Sequence, residues 1–349
     1  MSHRRVVRRS FLRLIPAIAL LFPMASLNST PGVAAEPTAF DSPAAIAFCG
    51  GHMWIANQAN NSLTELQSSN GRLIQIIESH INWISSPQSL DCIGLGLWVS
   101  NSYINSLSEF NAVTGHLSRI VKSPKYELSR PTVLASDAAH LWVINSGSDS
   151  ITEIDPHSGN LIRVIQLRSG HSSASDYFGP VDLTVEANTL LITNITSKED
   201  TLIEVSVGSG SISGTKKLGP STPNSNFGYV VATNSHAWIS NADGRSLSEV
   251  SLNRLPTIQL IHGTIHQFNG IEGLSLLGPD VWISNIYGQS VAELSTKTNT
   301  VLRVVQLKAG KLDNPGPIAF DHKDVWVLNT LGSVIVINSN TAKVIRVIV

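Results

Sequence analysis

The 349-residue sequence predicts an all-β fold, a seven-bladed β-propeller with four antiparallel strands per blade. Three observations carry that prediction. First, an anchor tetrapeptide recurs as Trp54-Ile55-Ala56-Asn57, Trp98-Val99-Ser100-Asn101, Trp142-Val143-Ile144-Asn145, Leu191-Ile192-Thr193-Asn194, Trp238-Ile239-Ser240-Asn241, Trp282-Ile283-Ser284-Asn285 and Trp326-Val327-Leu328-Asn329. The spacings are 44, 44, 49, 47, 44 and 44 residues, the period of a four-stranded repeat unit. Second, Pro43, Pro87, Pro131, Pro180, Phe227, Ile271 and Pro315 each stand eleven residues before an anchor, so the units are in register. Third, 25 Gly and 16 Pro, with abundant Ser and Asn, punctuate short apolar runs with turn chemistry.

The chain opens differently. Residues 1–35 hold five arginines and no acid, then an apolar stretch from Leu14 to Leu27 and Val33-Ala34-Ala35 before Glu36. Interrupted by Pro16 and Pro23, that stretch is shorter than the roughly 20 residues a spanning helix needs. It predicts a signal peptide over 1–35, cleaved near Ala35, leaving no stable membrane span and a single domain over 36–349. Arg8-Arg9-Ser10-Phe11-Leu12-Arg13 resembles the twin-arginine export signal of bacteria, with Val7 departing from the usual pattern. The expected location is therefore periplasmic or secreted.

Within each unit an apolar first strand follows the Pro, as in Ala44 to Cys49, and the Trp strand follows a tight turn. A third strand such as Ser62 to Leu66 comes after a short loop, and Ser69-Asn70-Gly71 turns into a fourth over Arg72 to Ile77. If Asn57 and Ser62 flank their loop symmetrically, Trp54 stands opposite Glu65. The same count pairs Trp98 with Glu109, Trp142 with Glu153, Trp238 with Glu249 and Trp282 with Glu293. These carboxylates are expected to accept from the indole N–H or from nearby backbone, since neither group is buried cheaply without a partner.

At this point the Trp-Val-x-Asn, Ser-x-Thr-Glu-Ile-Asp and Thr-Gly elements, as in Trp142 to Asp155 and Thr114-Gly115, resemble the seven-bladed propellers built from YVTN-type repeats, close to the NHL type. The resemblance covers residues 41–349. It implies a fold that hosts binding scaffolds, lactonase-like enzymes and streptogramin lyases alike, so function must be read from residues that break the repeat. Streptogramin lyases, by the same resemblance, carry His at the place of the Pro and Glu at the place of the anchor Asn. This sequence has neither.

Composition narrows the partners. Residues 36–349 hold 19 basic against 25 acidic side chains, without a Lys/Arg cluster, which argues against nucleic acid. The anchor asparagines read as strand-ending turn residues. His52, His140 and His236 read as turn residues rather than metal ligands. His262 and His266 lie in a connection with no helical pattern, so they are not taken as a metal pair. Cys49 and Cys92, on neighbouring first strands, are either a disulfide or two buried thiols.

The informative departures cluster where the first strands begin. Ten residues before each anchor stand Ala44, Gln88, Thr132, Val181, Gly228, Glu272 and Gly316; nine before stand Ala45, Ser89, Val133, Asp182, Tyr229, Gly273 and Pro317. Gln88, Asp182, Tyr229 and Glu272, with Arg130 and Asn226 just upstream and Tyr177 on a long connection, make a lopsided polar set at the channel mouth. Tyr103, Arg245 and Tyr287 add to the same face. Mixed charges and aromatics predict a binding or interaction module, expected to be a monomer, for an envelope or extracellular protein, a peptide or a carbohydrate. No cofactor is called for. The alternative is a hydrolase or lyase using calcium, magnesium or zinc on the same face.

Overall fold

In the computed structural model the described residues are 39–79, 83–167, 177–196, 200–219, 228–241, 244–253, 257–264, 267–307 and 314–349, and for Tyr177, Phe178, Thr196 and Gly219 the backbone alone. The expected export segment, Asn226 and His266 lie outside them. Thr38–Val349 is one compact unit. It contains seven four-stranded antiparallel sheets, each built from strands consecutive in the chain. In blade one these are β1 (Pro43–Cys49), β2 (His52–Asn57), β3 (Ser62–Gln67) and β4 (Leu73–Glu78). Every first strand touches the first strands of both neighbouring blades, so the first strands form the inner ring.

The burial pattern follows from sheets that pack on both faces. Second strands are buried almost end to end, as in Gly96–Asn101 and Asp280–Asn285, while fourth strands such as Leu73–Glu78 lie half in solvent. The apolar core is therefore not one body but seven clusters, one at each seam. Trp54 packs with Leu90, Leu97 and Phe110 of blade two, and Trp98 with Leu134, Leu141 and Val143 of blade three. Trp142, Leu191, Trp238 and Trp282 repeat this against blades four, five, six and seven. Trp326 closes the ring by packing on Ile46, Met53 and Ile55 of blade one. Each anchor thus belongs to one blade and is buried by the next.

The strand register is the one the sequence predicts, with Trp54 opposite Glu65, Trp98 opposite Glu109, Trp142 opposite Glu153, Trp238 opposite Glu249 and Trp282 opposite Glu293. The role of the carboxylates differs from expectation. The Nε1 atoms of Trp54, Trp98 and Trp326 have no hydrogen-bond partner among the described residues, and Trp238 Nε1 donates to Asn299 Oδ1 rather than to Glu249. The glutamates instead engage a residue on the fourth strand, directly opposite them. Glu109 meets Arg119 Nε at 2.5 Å, Glu153 meets Arg163 Nε at 2.7 Å, and Glu293 pairs with Arg303. A charged donor satisfies a buried carboxylate better than the neutral indole does, which explains the preference. The guanidinium also covers the indole face: Arg119 lies 5.9 Å from the Trp98 ring and Arg303 6.0 Å from Trp282.

Those arginines go on to clamp the next blade. Arg119 donates to the His157 carbonyl at 2.9 Å, Arg163 to Gly208 O at 3.3 Å, Arg303 to Ser339 O at 2.8 Å and Arg346 to Ser69 O at 3.4 Å. Each target lies in the turn between the third and fourth strands of the following blade. The last of these crosses from blade seven to blade one, so the ring closes with the same device used inside it and without a shared strand. The recurrent turn glycine now has two reasons. Gly71, Gly115, Gly159 and Gly210 sit at φ of +73°, +70°, +73° and +69°, where a side chain is strained. A Cβ on Gly210 would also stand 2.6 Å from Arg163 Cδ.

Gly210→Ala should accordingly destabilise the protein by about 1–3 kcal/mol, from left-handed strain plus displacement of the Arg163 clamp. Urea unfolding checks this; an unchanged midpoint would show that the close approach of Arg163 is immaterial.

Candidate functional site

The mouth of the inner ring is shaped by a bulge at the start of the first strands. The register slips between Pro87 and Leu90, between Pro180 and Asp182, and between Ile271 and Gly273. A bulge frees a backbone N–H, and a hydroxyl on the second strand takes it up. Ser89 N donates to Ser100 Oγ at 3.0 Å, Asp182 N to Thr193 Oγ1 at 3.2 Å and Tyr229 N to Ser240 Oγ at 3.0 Å. The same hydroxyls of Ser100 and Thr193 donate onward to Thr132 O and Gly228 O of the next blade. The side chain nine residues before the anchor is thereby turned toward the neighbouring first strand.

At that position two blades hold groups that matter, Asp182 and Tyr229, and a third blade adds Glu272 from one residue earlier in its unit. Tyr229, from blade five, donates its phenol hydrogen to Glu272 Oε2 of blade six at 3.1 Å. Asp182, from blade four, accepts from Val230 N of blade five at 2.9 Å and from Leu183 N at 2.9 Å. The two contacts lie side by side across blades four to six, one through the Val230 amide and one through the Tyr229 phenol. Burial raises the Glu272 carboxyl above its ordinary value, with the Tyr229 hydrogen bond pulling the other way. The Tyr229 phenol is pushed up by burial first and then by the Glu272 and Asp182 charges, so it stays protonated and acts as a donor. Burial pushes Asp182 up to about 6 despite its two amide donors.

Not every sequence candidate joins this group. Gln88 turns back on its own approach segment, donating to Ser86 Oγ at 3.2 Å. Arg130 occupies a corner with φ of +48°; its amide donates to Asn105 Oδ1 at 2.8 Å and its carbonyl accepts from Ser146 N at 3.2 Å, while the side chain is exposed. Its place is fixed by backbone needs. Tyr177 pairs with Thr196 at the start of blade four, and its side chain lies outside the described residues. Asp182 itself is partly structural, since Ser89 holds Leu134 N of the next blade in the same way at 3.2 Å.

The anchor asparagines tie each blade to the segment entering it. Asn57 Oδ1 accepts from Asp41 N, Asn101 from Ser85 N, Asn145 from Ser129 N and Asn285 from Asn269 N, and all four side chains are buried. A seven-fold polar ring for a ligand is thus unavailable in those blades. The turn histidines face inward to glutamates: His52 bonds Glu65, while His140 and His236 stand 3.7 and 3.9 Å from Glu153 and Glu249. Cys49 and Cys92 are joined in a disulfide, with Cα atoms 5.5 Å apart. Neighbouring first strands converge enough at that height to permit it.

Two further features lie on the same face, the first expected from the sequence and the second not. Tyr103 and Tyr287 project from second-to-third-strand loops, 82% and 71% exposed. An open cleft of about 480 Å³ lies between blades two and three, lined by Ile104, Asn105, Lys122, Pro124, Glu127 and Leu128. The cleft draws on a loop and a connection whose residues do not align with other blades, so periodicity could not reveal it.

No family model matches the chain, and no curated protein matches its sequence. Solved structures do. Hydrazine synthase of Kuenenia stuttgartiensis superposes with a TM-score of 0.72 at 15% identity, covering 89% of this chain and 99% of that one. A catalytically inactive virginiamycin B lyase from Staphylococcus aureus with quinupristin superposes at 0.65 and 17% identity, over 84% and 93% of the two chains. The Cps50 (Swd1) β-propeller domain of Myceliophteria thermophila superposes at 0.62 and 12% identity, over 87% and 96%. Identities this low carry the fold alone: the chain is a seven-bladed β-propeller.

The Asp182 carboxyl supplies a pH signature. Its value lies above the ordinary 3.8, so its contribution to stability is full below about pH 4 and is lost as pH rises through about 6. Asp182→Asn should remove that dependence. Between pH 7 and pH 5 wild type should gain about 1 kcal/mol relative to the variant in urea unfolding; a pH-independent difference would show that Asp182 is not buried as described.

Proposed function

We propose that this protein is an exported binding module that holds an envelope or extracellular protein, a peptide or a carbohydrate on the face around its channel mouth. One observation carries the reading. The residues that break the repeat come from three successive blades at the inner ring: Tyr229 bonds Glu272 across the seam of blades five and six, and Asp182 of blade four accepts from the Val230 amide, the residue next to Tyr229. Exposed Tyr103 and Tyr287 on the loops above suit stacking on sugar rings or peptide side chains. The Cys49–Cys92 disulfide supports a location outside the reducing cytosol, in keeping with the arginine-rich leader.

A second reading, a divalent-metal hydrolase or lyase, is favoured by the raised Glu272 carboxyl beside a phenol donor. The donor set fits it poorly. Both Asp182 oxygens accept backbone amides, which leaves Glu272 as the carboxylate with capacity to spare in this group, and calcium takes six or more oxygens. Calcium, magnesium or zinc would need donors from beyond the described residues.

Glycan and peptide arrays probed with the purified protein separate these readings. Wild type should bind a defined subset, Tyr229→Ala should weaken that binding at least about tenfold, and Glu272→Gln should alter it without abolishing folding. Binding indifferent to both substitutions would reject the channel-mouth site. One tightly held divalent ion per chain, lost together with hydrolysis of a cyclic ester in Glu272→Gln, would favour the enzyme.

A further inference from the structure

The seams are not fastened alike. Arg119, Arg163, Arg303 and Arg346 clamp the turns of blades three, four, seven and one. Blade five has Gln259 opposite Glu249, where blades two, three and six have arginine. There the turn residue of blade six is Asn299, and its side chain reaches back, accepting from Trp238 Nε1 at 3.1 Å and donating to Glu249 Oε2 at 2.6 Å. A missing arginine is thus answered from the neighbouring turn. Blade four has Gly214 opposite Glu204, and its seam with blade five carries the Thr193–Gly228 and Asp182–Val230 bonds at the inner ring.

Blade one is the remaining case. Opposite Glu65 stands Gln75, whose amide donates to Glu65 within its own blade. The turn it abuts in blade two keeps Gly115, so no side chain reaches back from there. Hydroxyl relays are also missing, because Ala56 occupies the place of Ser100 and Thr193, and Ala45 that of Ser89 and Asp182. What crosses this seam is the cluster around Trp54, the bonds of Asn61 and Gln58 to Ser86 on the loop face, and the Cys49–Cys92 disulfide. The disulfide sits at the one seam where arginine, asparagine and hydroxyl are all replaced among the described residues.

We propose that Cys49–Cys92 is a redox latch that stands in for the arginine clamp between blades one and two, so that the ring is fully fastened when oxidised and loosens at this seam when reduced. The chemistry balances simply. A dithiol reductant gives up two electrons and two protons, its own sulfurs join, and the Cys49–Cys92 bond opens to two thiols. The reverse needs a disulfide oxidant of the kind found outside the reducing cytosol. Cys49 is buried, but Cys92 is partly exposed, which gives an exchange partner a sulfur to approach.

The test uses the whole protein. Treating wild type with dithiothreitol should lower Tm by on the order of 5 °C and speed amide exchange at least about tenfold in β1, β2 and the first strand of blade two (Pro87–Ile93), with the seam between blades three and four unchanged. Cys49→Ser with Cys92→Ser should reproduce the reduced protein and no longer respond to dithiothreitol. Adding Gln75→Arg to that pair should recover at least half of the lost Tm and restore slow exchange at this seam. Unchanged Tm and exchange on verified reduction, exchange that quickens evenly around the ring, or failure of Gln75→Arg to restore the seam would each overturn the proposal.

Discussion

No blade of this protein buries its own anchor. Each anchor faces the next blade, and in blades two, three and six the carboxylate beside it is paired with an arginine whose far end grips that next blade's turn. Desolvated indole, carboxylate and guanidinium are therefore stable only when the adjoining blade is in place. A blade excised from the ring would expose roughly 200 Å² of indole and leave an arginine without its carbonyl partner. The closed ring is the unit that satisfies all of them, which is why the chain needs seven consecutive repeats and why Trp326 and Arg346 must find blade one.

Much of this architecture is legible in the residues. The recurring Trp, Pro and Asn fix the number of blades and the facing of their strands, and the pairing of Trp142 with Glu153 follows from counting across one loop. Arg163 was not legible by the same means. Ten residues separate it from Glu153, and the bulge between Glu153 and Ile154 shifts the count by one, so simple hairpin arithmetic fails at that turn. The link from Arg163 to Gly208 is longer still, bridging separate blades, and no local pattern announces it. Asn299 shows the compensation more clearly than any repeat does. It replaces the turn glycine where the arginine before it has become Gln259.

The candidate site was legible as a list and not as a shape. Aligning the repeats isolates Asp182, Tyr229 and Glu272 as departures, yet the alignment says nothing about which of them touch. Contact depends on how Tyr229 enters its strand, where its amide donates to the Ser240 hydroxyl and its phenol reaches Glu272 of blade six. The same logic demotes Gln88 and Arg130, whose positions answer backbone demands of the approach segments. Where function departs from repetition, it uses positions the scaffold has already turned toward a neighbour. A ring held by seam-spanning contacts can vary one such position per blade without disturbing the rest.

The most direct test of the seam as the organising interaction is a double-mutant cycle on Glu153 and Arg163. With Glu153→Gln, Arg163→Met and the pair unfolded in urea, the two residues should show a coupling of about 1–3 kcal/mol, because removing either alone strands a buried partner. Additivity within about 0.3 kcal/mol would contradict the account and assign the ring's stability to apolar packing alone.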